Sequence, residues 1–170
     1  MIEVDVDFAV PFIDEGQVLK LCEQALQVLW QCPDLALEGE GKTLLLAMRL
    51  SDDVEVQSLN KQFRGKDKPT NVLSFPSGDD MPGMEMVEMP EKYIGDVIVS
   101  VDTLKREAQA QNKSVEDHFC HLFIHSVLHL LGYDHIDDAE AEEMERLEID
   151  ILAKLGVNNP YHKGEDKFNN

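Results

Sequence analysis

Apolar and acidic residues alternate at the start of the chain, with Ile2, Val4, Val6 and Phe8 separated by Glu3, Asp5 and Asp7. A period of two is that of a strand with one face buried, and Pro11 marks its end. From residue 14 to 31 the period changes. Val18, Leu21, Cys22, Ala25 and Leu29 fall three and four apart, which predicts an amphipathic helix. Pro33 and the glycines at 39 and 41 predict a loop. Thr43 to Leu50 is apolar almost throughout, the mark of a central strand. Acids at Asp52 and Asp53 follow Ser51, as at a helix start, and the short helix they open carries Val54, Leu59 and Phe63. Residues 64–71 read as a polar loop. Asn71 to Pro76 is a short strand, placed at a sheet edge by its proline. Residues 77–92 hold Gly78, Pro82, Gly83, Pro90 and the methionines at 81, 84, 86 and 89, and predict a mobile loop.

The second half is mostly helical. Tyr93 to Ser100 is a strand, and Asp102 or Thr103 caps a helix running to about Asn112. Ser114-Val115-Glu116-Asp117 resembles a capping box with Asp in place of the usual Glu. It opens a helix over 115–131 that is apolar on most faces and therefore buried. A last helix runs from Asp137-Asp138 to about Leu155 and is closed by Gly156. Residues 157–170 read as a polar, loosely held tail. No repeat or linker interrupts the chain, so residues 1–156 are expected to form one domain. The expected class is α+β, a mixed sheet of about four strands with helices packed on it.

Composition alters this picture in three ways. The net charge of −19 opposes long-range attraction to a polyanion. The charge is unevenly placed, however. Residues 137–150 hold eight acids against Arg146, while Lys61, Arg64, Lys66 and Lys68 cluster within eight residues, so any phosphate-binding patch is local. Cys22, Cys32 and Cys120 are odd in number and lack C-x-x-C spacing, which argues against a disulfide framework or a cysteine zinc site and for plain buried thiols. No apolar run approaches a membrane span, and Met1 to Asp7 lacks the regions of a signal peptide, so the cytoplasm is the expected compartment.

The chemistry concentrates at residues 125–135. His125 and His129 are four apart, on one face of a helix, and both imidazoles can reach one ion at about 2.0–2.1 Å if it is zinc. Gly132 stands where that helix would end, so the chain can turn back and bring His135 to the same ion. Three protein ligands leave a fourth position for water, the layout of a catalytic site. His121 is in the same row, but each four-residue step rises about 6 Å, so it cannot share the ion with both of the others; a supporting or packing role is expected. His118 is expected to be exposed or capping, and His162 to be solvated.

The spacing H-x-x-x-H-x-x-G-x-x-H is shared with metzincin proteases, which place a glutamate base directly after the first histidine. Here that position is Ser126, which cannot accept a proton at neutral pH as a carboxylate does. A protease is therefore disfavoured. His-Ser-Val-Leu-His-Leu-Leu-Gly-Tyr-Asp-His instead closely resembles the H-G-x-L-H-L-x-G-Y-D-H signature of the YbeY family of bacterial metal-dependent endoribonucleases. Two further blocks resemble that family in order: Phe63 to Pro76, and Ile94-Gly95-Asp96-Val97-Ile98-Val99-Ser100. Ser126 departs from the usual glycine, though both are small.

The resemblance implies that His125, His129 and His135 are the ligands of one zinc ion, with another divalent metal an alternative, and that Arg64 is the essential basic residue of the substrate cleft. It implies a central metal-binding helix and a zincin-like layout. It also implies single-stranded RNA as substrate, in particular the 3′ precursor end of 16S rRNA, and a setting on the ribosome or small-subunit precursors, in ribosome biogenesis and quality control. DNA is not an expected partner. The residues suit such chemistry. Zinc lowers the pKa of bound water toward about 7, and a guanidinium holds two phosphoryl oxygens in a fork. Lys66 and Lys68 are expected to steer the backbone at longer range. Thr70, Asn71 and Ser74 are candidate hydrogen-bond donors to phosphate or ribose, and Asp134, beside Tyr133, a candidate to orient a histidine. The general base, and whether water or the ribose 2′-hydroxyl attacks, stay open. The alternatives are a non-catalytic ribosome assembly factor whose metal braces the fold and a metallohydrolase of another substrate.

Overall fold

A computed structural model of the chain describes residues 1–37, 41–77 and 90–161. The elements in order are β1 (Ile2–Phe8), α1 (Glu15–Gln31), β2 (Thr43–Ser51), α2 (Asp53–Arg64), β3 (Val72–Pro76), β4 (Glu91–Ser100), α3 (Val101–Ala110), α4 (Val115–Leu130) and α5 (Asp138–Lys154). The class is α+β with a mixed four-stranded sheet, in the order β1-β2-β4-β3. β1 and β4 run parallel to β2, while β3 pairs antiparallel with β4 and forms an edge, as its proline requires.

Helices cover both faces of the sheet. Leu44, Leu46, Met48 and Leu50 of β2 join α1, α4 and α5 in the main core, where Phe119, Phe123 and Leu128 are almost wholly buried. The opposite face carries a smaller cluster of Val56 from α2, Leu73 and Ile98, with Leu59 and Phe75 against it. β2 is central, yet its burial alternates along the strand. Its second face is covered only in part, and there Arg49 reaches Asp7 and Glu55.

Side-chain caps set the helix starts. Asp14, Asp52, Ser100, Ser114 and Asp137 each accept a hydrogen bond from a backbone N–H two or three residues into the helix. Ser100, rather than Asp102 or Thr103, caps α3, so that helix starts earlier than its sequence suggests. β4 likewise begins at Glu91, two residues before the expected Tyr93. α2 turns a different face inward than its apolar residues indicate: Val56 and Asn60 are buried, whereas Val54 and Phe63 are exposed. The heart of the expected methionine-bearing loop, residues 78–89, lies outside the described residues, as does His162.

Gly95 joins the edge strand to α4. Its φ is 145°, and a Cβ there would stand 2.4 Å from the Phe75 carbonyl oxygen and 2.8 Å from Leu130 Cδ2. Only glycine allows β3, β4 and α4 to approach this closely.

Candidate active site

Ser114 and the turn at Gly132 fix the two ends of α4. The Ser114 hydroxyl accepts from Asp117 N–H at 3.0 Å. At the far end Gly132 N–H reaches the His129 carbonyl and Tyr133 N–H the Leu128 carbonyl, both at 3.0 Å. Gly132 has φ 105°, outside the range comfortable for other residues. The chain doubles back at this point and carries His135 to the helix's last turn.

Three imidazoles meet there. His125 Nε2 and His129 Nε2 are 3.1 Å apart, and the His135 ring centroid is 5.6 Å from that of His125 and 5.2 Å from that of His129. Two nitrogens bound to one zinc at a tetrahedral angle would stand about 3.3 Å apart. Burial lowers the His129 pKa, and the neighbouring His125 and His135 lower it further. Convergent imidazole nitrogens suit a divalent cation. His125, His129 and His135 thus form a candidate metal site; among the described residues no fourth histidine, cysteine or carboxylate joins them.

Behind His125 is a residue that the sequence reading missed. Glu148 of α5 has no exposed surface. Its Oε2 meets His125 Nδ1 at 2.9 Å, its Oε1 meets His121 Nε2 at 2.8 Å, and the Tyr161 hydroxyl donates to Oε1 at 2.7 Å. Burial by itself would push the Glu148 carboxyl up; the hydrogen bonds from His121 and His125, the charge of His125 and the Tyr161 hydroxyl hold it down to about 2. An ionised Glu148 holds a proton on His125 Nδ1, so that once Nε2 gives up its own proton its lone pair faces the other two rings. His121 therefore supports Glu148. Asp134 sits differently from Glu148: its Oδ1 accepts from the His135 backbone N–H at 2.7 Å, and His135 Nδ1 is 3.7 Å away, beyond a hydrogen bond. Glu148 was concealed within the acidic run at 137–150. It was still legible by spacing, because Met144, Leu147, Glu148, Ile151 and Leu152 form one buried row of α5. Tyr161 departs from the loosely held tail that was expected: its ring meets that of His121 edge-on at 5.5 Å.

The histidines line one wall of a cleft of about 510 Å³. The facing wall is β3 with Arg64 at the end of α2. Arg64 is held from two sides, by its Nη2 donating to the Ser74 carbonyl at 2.9 Å and by its guanidinium carbon 5.8 Å from the Phe75 ring centroid. The helix stops just beyond it at Gly65, in the left-handed region at φ 70°. Asn60 then ties the following loop to α2 by donating to the Lys68 carbonyl at 2.9 Å.

The structure sorts the candidates. Arg64, Asn71, Ser74, Tyr133 and Asp134 line the cleft with the three histidines. The Asn71 amide nitrogen donates to Glu107 at 3.0 Å. Lys66 and Lys68 are exposed and are absent from the described lining, as is Thr70. His118, expected at the surface, is 3% exposed and bonds Glu107 Oε1 at 2.8 Å; it faces inward because its neighbours Phe119 and Leu122 place that side of α4 against the core. Ser126 is fully buried and donates to the Leu122 carbonyl at 2.7 Å, so the position that carries the base in metzincins points away from the cleft. Cys22, Cys32 and Cys120 are buried free thiols.

The chain is similar to known proteins along most of its length. The family described as Endoribonuclease YbeY matches residues 8–156. A protein of Alteromonas mediterranea named Endoribonuclease YbeY is 50% identical over 137 residues, 81% of this chain and 82% of its own length. One of the same name from Rhizobium johnstonii is 41% identical over 178 residues, 98% of this chain and 97% of its own. The fold is similar to the solution structure of TM1509 from Thermotoga maritima, with a TM-score of 0.58 and 24% identity over 99% of this chain and 93% of that one. The match spans both walls of the cleft, the histidine wall and the Arg64 wall, and on that ground the chain belongs to the YbeY family.

Proposed function

We propose that this protein is a zinc-dependent endoribonuclease that cuts single-stranded RNA in the cleft between the histidine triad and Arg64, and that its substrate is the 3′ precursor end of 16S rRNA, met in the cytoplasm on the ribosome or its small-subunit precursors. One observation carries the reading: three convergent imidazoles and a guanidinium anchored on β3 line one cleft. RNA is the substrate class implied by the family; zinc is favoured by an all-imidazole donor set.

His125, His129 and His135 would hold the ion, which when bound supplies Lewis-acid polarisation and lowers the pKa of water. The chain's own residues do the rest. Glu148 keeps the His125 tautomer correct. Arg64, already oriented by Ser74 and Phe75, binds the non-bridging oxygens and meets the charge that grows on them in the transition state. Asp134 is the one carboxylate among the described residues lining the cleft, so a proton released by the attacking group leaves to Asp134 or to solvent.

The test uses purified protein and a short unstructured RNA. His129→Ala is expected to lose bound metal and cleavage together. Arg64→Glu is expected to lose cleavage while keeping the fold and the metal. Cleavage that survives a chelator, or that persists in Arg64→Glu, would defeat the reading. A metal that only braces an assembly factor would leave ribosome maturation intact in Arg64→Glu.

A further inference from the structure

We infer that Phe63 and Phe75 form a stacking platform for an unpaired nucleobase, next to the phosphate held by Arg64. The inference rests on the RNA reading above and adds to it a subsite outside the cleft.

Phe63 is 61% exposed, although α2 has an inner face available and buries Val56 and Asn60 on it. Its ring is fixed all the same, standing 5.5 Å from the Phe75 ring at 66°. Phe75 in turn lies beneath the Arg64 guanidinium, and Arg64 grips the Ser74 carbonyl beside it. Phe75 therefore links the two, with the Arg64 guanidinium over its ring and Phe63 meeting it edge to face, and so props the exposed Phe63 ring beside the cleft that Arg64 lines. Phe63 and Arg64 both contact the Phe75 ring, so a phosphate at the guanidinium brings an adjoining base within reach of Phe63.

Charge explains why such a surface is needed. With a net charge of −19, the body of the protein gives a polyanion no long-range attraction. Stacking on an aromatic face carries no net charge and works at contact range, so it adds affinity where electrostatics does not. It also selects for single strands, because a base paired inside a helix has no free face to offer. Exposed Lys66 and Lys68 leave the same helix end, outside the cleft, where the strand would continue past the platform.

The probe is a short unstructured RNA carrying a fluorescent purine analogue at successive positions, measured at constant salt by anisotropy and by quenching of the analogue. Phe63→Ala and Phe63→Leu are expected to weaken binding roughly 5- to 100-fold and to abolish quenching at one position. Phe63→Trp is expected to restore both. An RNA abasic at that position should bind wild type and Phe63→Ala equally. Unchanged melting of the variants checks that the fold is intact. If wild type binds and cleaves RNA while Phe63→Ala and Phe63→Leu match it, the platform is wrong and the endoribonuclease stands. If Leu serves as well as Phe, the contact is apolar packing and stacking is refuted. If wild type neither binds nor cleaves RNA, the platform falls together with the reading it rests on.

Discussion

A carboxylate without exposed surface survives folding only where partners replace its water. Glu148 has three such partners, and their arrangement gives it its part in the site: His125 is held in one tautomer and one orientation, with His121 and Tyr161 satisfying the other oxygen. Glu148→Gln keeps the shape but can no longer accept two imidazole protons. It is expected to weaken divalent-metal binding about 10- to 100-fold, read by competition with a chromophoric chelator, and Tyr161→Phe less. At the residue scale the histidine triad was plain from the sequence, because its spacing matches the helix repeat. For Glu148 only its place in the buried row of α5 could be read by spacing; its partners could not, because they come from α4 and from Tyr161, which no local pattern links to α5. Gly95 is a similar case. Its φ and the nearby Phe75 carbonyl leave no space for a side chain, so Gly95→Ala is expected to cost about 2–5 kcal/mol in denaturant unfolding. Cys22 and Cys120, pushed up to about 12 by burial, are expected to resist alkylation in the native protein and to react on unfolding.

Among the elements, α4 is read most completely from its sequence. Its cap, its apolar character and its stop at Gly132 all act within a few residues, so local physics specifies them. Ser114→Ala is expected to remove about 1 kcal/mol of stability by leaving the Asp117 N–H without its acceptor, measured as a shift in the unfolding midpoint without a change in slope. The element read least well is α2. Its sequence offers Val54, Leu59 and Phe63 as an apolar set, but the sheet takes Val56 and the loop takes Asn60. Which face of a short helix turns inward depends on what it packs against. The edge position of β3 was legible because Pro76 lacks an N–H for a ladder. That its other side forms one wall of the cleft was not.

For the molecule as a whole, charge sets the expected behaviour toward RNA. Arg64 is the one lysine or arginine among the described residues lining the cleft, so few counterions leave the RNA on binding. The dependence of log K on log salt is expected to be shallow, a slope of about −0.7 to −2, in titrations across a range of potassium chloride; a slope steeper than about −4 would point to a broader basic surface than the cleft holds. None of the helices among the described residues is long and apolar enough to cross a membrane. By itself the sequence determined the element types, the edge strand and which three histidines could converge, since each depends on spacing within one segment or on short blocks of residues. The tertiary structure alone decided that Arg64 lines the same cleft as the triad, that Glu148 supports His125 from another helix, that His118 turns inward, and that Lys66 and Lys68 stay outside the described lining. Those outcomes come from packing between segments far apart in the chain, where the energy of burial, rather than any local period, chooses which side chains meet.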